Sequence, residues 1–102
     1  MSLRGGEEPD ASKTIDGLDP RRRRARFRAW HRGMREMDII LGGFADARTD
    51  GMADHDLADF EALMEIPDPT LFDWIAGRAE PAPQYRTALL AAIVAFHDRQ
   101  DR

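Results

Sequence analysis

At 102 residues the chain can hold one domain with a modest hydrophobic core, and little room remains for an enclosed active site. The absence of cysteine excludes disulfide bonds, thiolate metal sites and a cysteine nucleophile, and it is typical of a reducing compartment. Residues 20–36 carry eight arginines and one glutamate, net +7, whereas residues 37–102 carry five basic and thirteen acidic residues, net −8. We therefore expect one basic surface on an otherwise acidic molecule.

The first 18 residues are predicted to form a flexible tail, because they mix glycine and charged residues with few apolar ones. This segment lacks the apolar core of a signal peptide, and its acidic residues are atypical of a mitochondrial presequence. No apolar run approaches the roughly 20 residues that cross a bilayer. We expect a protein of the bacterial cytoplasm that does not insert into membranes.

Helix one is predicted over residues 20–31, with Asp19 as its N-cap and a proline at its first position. Helix two is predicted over residues 33–42, with Gly42 and Gly43 as its stop. The apolar residues of helix two recur at helical spacing along one face: Met34, Met37, Ile40, Leu41 and Phe44.

Helix three is predicted over residues 54–66. The sequence PDPTLFDWIAG predicts helix four, with Asp68 as N-cap, Pro69 at the first position and Gly77 just past the end. Helix five has the strongest periodicity, with apolar residues at i, i+3, i+4, i+7, i+8 and i+11 over residues 85–96. The positions expected to face inward on these three helices are Leu57, Phe60, Leu63, Met64, Leu71, Trp74, Ile75, Tyr85, Ala88, Leu89, Ala92, Ile93 and Phe96.

A β-sheet is not expected, because no segment alternates with period two and valine occurs once. The predicted fold class is therefore all-α: a small five-helix bundle that forms a single domain over residues 19–102. Trp74 is assigned to its core, whereas Trp30, which lies among basic residues, is left unassigned.

Helix two also carries a mixed charged and apolar patch. At 100° of rotation per residue, its members gather on the side opposite the apolar face: Arg32, Arg35, Glu36 and Ile39. Arginine combined with an apolar anchor is typical of protein interfaces. Alternatively, helix one or helix three covers Ile39 and the charges are merely solvated.

Gly33 needs an explanation, because glycine inside a helix costs about 1 kcal/mol relative to alanine. It can end helix one in the left-handed conformation, or it can let another backbone approach closely. In both cases the N–H groups at the start of helix two and the nearby arginines form a positive site suited to carboxylate or phosphate.

Catalytic and metal-binding patterns are missing from the sequence. The two serines, Ser2 and Ser12, lie in the tail, and His31, His55 and His97 lack the spacing of metal ligands. No phosphate-binding glycine loop is present. The acidic face of helix three is interpreted as solvated: Asp56, Asp59, Glu61 and Glu65. We therefore assign no catalytic residue and no metal site.

The basic run RRRRARFR has six arginines in eight residues, which suggests binding to nucleic acid phosphates. The acidic remainder of the chain would repel a duplex. We therefore rank an acidic protein partner above nucleic acid, and we keep a nucleic-acid-binding regulatory protein acting through Arg21–Arg28 as the alternative function.

Two motifs resemble the SdhE family of FAD assembly factors, the succinate dehydrogenase assembly factor 2 group. The RGxxE motif of that family reads here as RGMRE, residues 32–36, and continues into MDIIL. Downstream, FEALMEIPDPTLFDWIAG is similar to the second signature of the family. Both motifs occur in the expected order within residues 20–100.

The resemblance implies a non-enzymatic five-helix protein that binds the flavoprotein subunit of succinate dehydrogenase, and often of fumarate reductase. It implies that FAD becomes covalently attached to a histidine of that partner. We further expect that this chain holds no cofactor tightly and is monomeric when free. An antitoxin-like regulatory role, sometimes linked to this family, is a further alternative. The predicted partner-binding residues are Arg28, Arg32, Gly33, Arg35, Glu36 and Ile39.

Overall fold

The structure is a computed structural model that describes residues 19–100. The predicted flexible tail, residues 1–18, lies outside the described residues. Five α-helices follow one another along the described part of the chain: α1 Pro20–Trp30, α2 Arg35–Arg48, α3 Asp54–Leu63, α4 Asp68–Ile75 and α5 Ala88–Gln100. The all-α, five-helix prediction is confirmed.

The start of α1 follows directly from its sequence. Asp19 is the N-cap, and its carboxylate accepts a hydrogen bond of 2.8 Å from the backbone N–H of Arg22. A proline occupies the first helical position, where the missing N–H leaves no hydrogen bond unmade. Both sequence predictions for this terminus are confirmed.

The predicted end of helix two is wrong, because Gly42 and Gly43 lie inside α2 and the helix continues to Arg48. The indole of Trp30 packs directly on the backbone of Gly42, where the Cβ of any other residue would lie 2.2 Å from a ring carbon. Gly42 therefore allows α1 to approach α2 closely. Contact between the two helices offsets the weak helix propensity of glycine.

Three other helix boundaries differ from the predictions. Helix α3 ends at Leu63 rather than at residue 66, and α5 begins at Ala88, after a 3₁₀ turn that contains Tyr85. Asp68 is the first residue of α4 rather than its N-cap, because its carboxylate contacts another element. The prediction for Gly77 is confirmed, since this residue follows α4 with a φ of +78°.

One hydrophobic core joins the five helices. Its largest fully buried apolar side chains come from α2, α3, α4 and α5: Met37, Leu41, Phe44, Leu57, Phe60, Leu63, Leu71, Ile75 and Ile93. Trp74 packs against this core but is only partly buried, and its ring lies 5.4 Å from that of Tyr85. The described helices thus hold the α1–α2 link, which carries the predicted motif, at the edge of a packed core.

Candidate functional site

The link between α1 and α2 presents Gly33 to solvent. Gly33 has a φ of +97°, and among residues 19–100, its two chain neighbours aside, no heavy atom lies within 4 Å of the position that a Cβ would occupy. The left-handed backbone is therefore the reason for this glycine within the described chain. The space beside Gly33 is open, so a partner could approach its backbone closely.

Arg32 points inward, so its predicted place in an outward patch is wrong. The side chain is 9% exposed, and its Nε donates a 2.7 Å hydrogen bond to Oδ1 of Asp68, whose side chain is 12% exposed. The same guanidinium donates to the backbone carbonyls of Met64 and Ile66. These carbonyls follow the end of α3, where helical partners are lacking, and Arg32 satisfies them.

The prediction failed because α2 begins at Arg35 rather than near Gly33. Arg32 therefore precedes the helix and does not follow its 100° rotation. Its backbone N–H donates a 2.6 Å hydrogen bond to Oδ1 of Asp38 in the first turn of α2. Arg32 thus fastens the α1–α2 link to α2 through its backbone and to the α3–α4 junction through its side chain.

Of the remaining motif residues, Gly33, Arg35 and Glu36 are exposed, whereas Met34 is partly buried against the core. Within residues 19–100, neither Arg35 nor Glu36 forms an ion pair, and Ile39 is 52% exposed. The alternative that a neighbouring helix covers Ile39 is therefore wrong. We call Gly33, Arg35, Glu36 and Ile39 the exposed patch. It combines an apolar side chain with charges of both signs that have no ion-pair partner within the described residues.

A surface cavity adjoins the exposed patch, between α2 and α5. The cavity has a volume of about 370 Å³ and includes residues that the sequence reasoning did not assign to a site. Its lining residues are Trp30, Glu36, Ile39, Ile40, Gly43, Phe96, His97 and Gln100. Only the folded chain brings α5 against the exposed patch, because no local sequence pattern links residues 36–43 to residues 96–100.

The arginine tract of α1 is largely paired with acidic residues of the same chain. Arg26 lies 2.7 Å from Asp46, and the predicted partner-binding residue Arg28 pairs with Glu65. Arg22 is mostly buried and donates to the backbone carbonyl of Thr49 as well as to carboxylates. These contacts reduce the charge available to nucleic acid, for which the tract remains an untested prediction.

Part of the acidic face of α3 faces α1. Arg21 donates to Glu61 through Nε at 3.0 Å and through Nη2 at 2.7 Å, and Glu65 pairs with Arg28. The hydrogen bond from Arg21 is the main cause that holds the pKa of the Glu61 carboxyl below its ordinary value. The same bond raises the pKa of Arg21. The interpretation of this face as merely solvated is therefore wrong for Glu61, whereas Glu65 pairs with Arg28 but stays 70% exposed.

We expect the Arg21–Glu61 pair to make thermal stability depend on pH. Because the folded pKa of Glu61 is lowered, its contribution is present above the unfolded pKa of about 4.3. The contribution is lost as the pH falls through the lower folded value. The Glu61→Gln variant should have a lower Tm than wild type near neutral pH, and the difference should shrink in acid. A difference in Tm that stays constant down to about pH 3 would contradict this assignment.

Candidate metal-binding clusters and membrane-spanning helices are missing from the part of the chain that the structure describes. There, no group of three His, Cys, Asp or Glu side chains is placed to hold a metal ion, and no helix is long and apolar enough to cross a membrane. His31 is exposed and stacks on Phe27 with ring centroids 3.9 Å apart, as a surface histidine would. The exposed patch and the adjoining cavity are therefore the best candidate site.

Comparisons with known proteins identify the family to which the chain is similar. Residues 23–97 match the model of a family described as the flavinator of succinate dehydrogenase. Over 79 residues the chain is 46% identical to the FAD assembly factor SdhE of Acetobacter pasteurianus, across 78% of this chain and 72% of that protein. Identity to the SdhE of Photobacterium profundum is 34% over 80 residues, across 78% of this chain and 91% of the relative.

A eukaryotic relative is also similar. The mitochondrial succinate dehydrogenase assembly factor 2 of Dictyostelium discoideum is 31% identical over 87 residues, which cover 85% of this chain. The aligned segment spans 61% of that longer protein, less than two thirds of its length. No solved structure matches the chain significantly.

Proposed function

We propose that this chain, which belongs to the succinate dehydrogenase flavinator family, binds the flavoprotein subunit of succinate dehydrogenase and promotes covalent attachment of FAD to that subunit. The chain acts as a non-enzymatic assembly factor in the bacterial cytoplasm and holds no cofactor tightly. The flavoprotein subunit of fumarate reductase is proposed as a second partner.

The exposed patch is the observation that carries this proposal. The family motif spans residues 32–36, and three of these five residues, Gly33, Arg35 and Glu36, are exposed. Gly33 offers an open backbone, while Arg35 and Glu36 have no ion-pair partner within residues 19–100. Ile39 adds an apolar anchor next to these charges. Protein interfaces commonly combine such an anchor with charged groups that gain partners on binding.

The motif has two physical tasks in this proposal. Arg32 holds the α1–α2 link against Asp68 and the end of α3, and therefore acts as a positioning residue. Gly33, Arg35 and Glu36 contact the partner. We assign Arg35 to a partner carboxylate and Glu36 to a partner cation, since each charge is exposed.

The proposed mechanism is catalysis by positioning. The chain docks on an immature flavoprotein subunit and favours the arrangement in which FAD, dicarboxylate and acceptor histidine lie ready to react. Bringing reacting groups into a near-attack geometry removes much of the entropic part of a barrier. The new bond forms within the partner, so this chain needs no nucleophile or general base of its own.

The test is in-gel flavin fluorescence of the denatured succinate dehydrogenase flavoprotein from cells that lack this gene. We expect wild type to restore the fluorescence and Gly33→Arg to leave it strongly reduced, because an arginine side chain would block the close approach of the partner to this backbone. Glu36→Gln should also reduce it, because it removes the charge that pairs with the partner. The same measurement on the fumarate reductase flavoprotein tests the second partner.

Gly77→Arg is the matched control for Gly33→Arg. Both glycines have positive φ and open space beside them, so both substitutions should strain the backbone by a similar amount, about 1–2 kcal/mol. Gly77 lies beyond the far end of α4 from Asp68 and outside the exposed patch. Equal flavinylation by the two variants would contradict the assignment of Gly33, and full flavinylation without the gene would contradict the proposed function in that host.

A further inference from the structure

The α2–α5 cavity adjoins the exposed patch but is built mainly from other residues. Two of the three exposed large hydrophobic side chains of the described chain, Trp30 and Ile39, line it. Phe96 of α5 forms part of the opposite wall. The cavity therefore joins apolar surface from α1, α2 and α5 that is open to solvent at its mouth.

The walls of this cavity are held in place by contacts outside it. The Trp30 ring packs on Gly42, and its Nε1 donates a 3.1 Å hydrogen bond to Oδ1 of Asp46. The Phe96 ring packs edge-on against Phe44, with centroids 5.6 Å apart. Because these rings are already ordered, a side chain entering the cavity would not need to immobilise them.

Gly43 helps to keep the cavity open. A Cβ at this position would meet the nearest atom of Phe96 at 3.7 Å, an ordinary van der Waals distance. The fold would therefore accept a small side chain at Gly43 without a clash. Glycine here, in the middle of α2, leaves space that a larger residue would occupy.

One carboxylate, that of Glu36, lies among the residues that line the cavity, which also include His97 and Gln100. Glu36 is exposed and has no ion pair within residues 19–100. A partner that places a cation beside Glu36 would therefore gain a charge-assisted contact at the edge of an apolar site.

We infer that the α2–α5 cavity receives one apolar side chain of the flavoprotein subunit, next to a lysine or arginine of that subunit that pairs with Glu36. This inference rests on the proposed function, from which it takes the partner. A buried anchor in a preformed pocket dominates the binding energy of many interfaces, whereas a charge pair at the rim mainly fixes orientation and salt dependence. The apolar side chain supplies affinity, and the cation sets its orientation.

The first experiment fills the cavity. Calorimetric titration of purified flavoprotein subunit lacking covalent FAD would compare wild type with Gly43→Leu and with Ala47→Leu. Ala47 is exposed on the same helix and does not line the cavity, so Ala47→Leu adds the same side chain elsewhere. We expect Gly43→Leu to raise the Kd at least about tenfold and Ala47→Leu to leave it within about twofold.

Thermal unfolding of the free variants separates binding from folding. If Gly43→Leu is not folded, Gly43→Ala replaces it, because its methyl group meets Phe96 without a clash. We expect Gly43→Ala to have a Tm no lower than wild type, since it removes a glycine from a helix, and yet to bind a few times more weakly. Higher stability with weaker binding cannot result from misfolding.

The rim is tested by the salt dependence of binding. Glu36→Gln should raise the Kd and flatten its dependence on salt concentration, because it removes a charge pair. A folded cavity-filling variant that binds as tightly as wild type would overturn the inference while the proposed function stood. Absence of wild-type binding would overturn both, and self-association abolished by Gly43→Leu would assign the cavity to a second copy of the chain and overturn the inference.

Discussion

Arg32→Met is expected to destabilise the fold by about 3–5 kcal/mol, the range for removing one partner of a buried ion pair. The substitution leaves the Asp68 carboxylate without its cation in a site where both side chains are nearly buried. It also removes the donors to the carbonyls of Met64 and Ile66. Urea unfolding followed by circular dichroism measures the change. In a domain of this size such a loss approaches the whole free energy of unfolding, about 5–15 kcal/mol.

Arg35→Met is the matched control for Arg32→Met. Arg35 is an arginine of the same motif, but it is exposed and has no ion pair among residues 19–100, so its replacement should change stability by no more than about 0.5 kcal/mol. We expect the two variants to have different effects: Arg32→Met lowers the stability of the fold, whereas Arg35→Met weakens partner binding. Equal stability of Arg32→Met and wild type would refute the positioning role of Arg32.

Gly42→Ala is expected to destabilise the fold, although alanine is the better helix former. The new Cβ would lie 2.2 Å from a carbon of the Trp30 ring, so the indole must move and lose its hydrogen bond to Asp46. Overpacking of this kind typically costs about 1–3 kcal/mol, against a helix gain of about 1 kcal/mol. Urea unfolding and near-ultraviolet circular dichroism would report the stability and the displaced ring.

Two further variants make this prediction specific. Gly43→Ala, one position along the same helix, should stabilise by about 0.5–1 kcal/mol, because its Cβ meets no atom closer than 3.7 Å. In a Trp30→Ala background, Gly42→Ala should also become stabilising, since the clashing ring is gone. A double-mutant cycle measures this change of sign as a coupling energy between Gly42 and Trp30. A coupling energy of zero would mean that the packing of the Trp30 indole does not depend on Gly42.

Gly42 and Gly43 also differ in the reason for which each is a glycine: one is needed for stability and the other for the proposed function. Gly42 is retained because α1 packs against it through Trp30, which makes it a structural requirement. Gly43 has no such clash, and its replacement by alanine should stabilise the chain. Under the proposed function, glycine is needed at position 43 because the cavity beside it must remain open. Residues kept at the expense of stability are typical of binding sites.

The sequence by itself determined the fold class, the helix centres and several helix ends. Apolar residues at helical spacing are a local signal, and caps such as Asp19 and the left-handed turn at Gly77 depend on residues within one helical turn. The motif RGMRE and its downstream companion likewise identified the family, because both are continuous in the chain. Exposure of Ile39 was one of two alternatives that periodicity left open.

Tertiary structure alone decided what the individual motif residues do. Two adjacent glycines have weak helix propensity and therefore predicted the end of a helix. Gly42 is nevertheless helical, because the Trp30 ring of another helix fills the space of its missing side chain. A helical wheel placed Arg32 outward, but this residue precedes α2 and turns inward to carbonyls 32 and 34 positions away along the sequence. Contacts between residues so far apart in the sequence produce no periodic pattern, because they depend on how the helices pack and not on neighbouring residues in the chain.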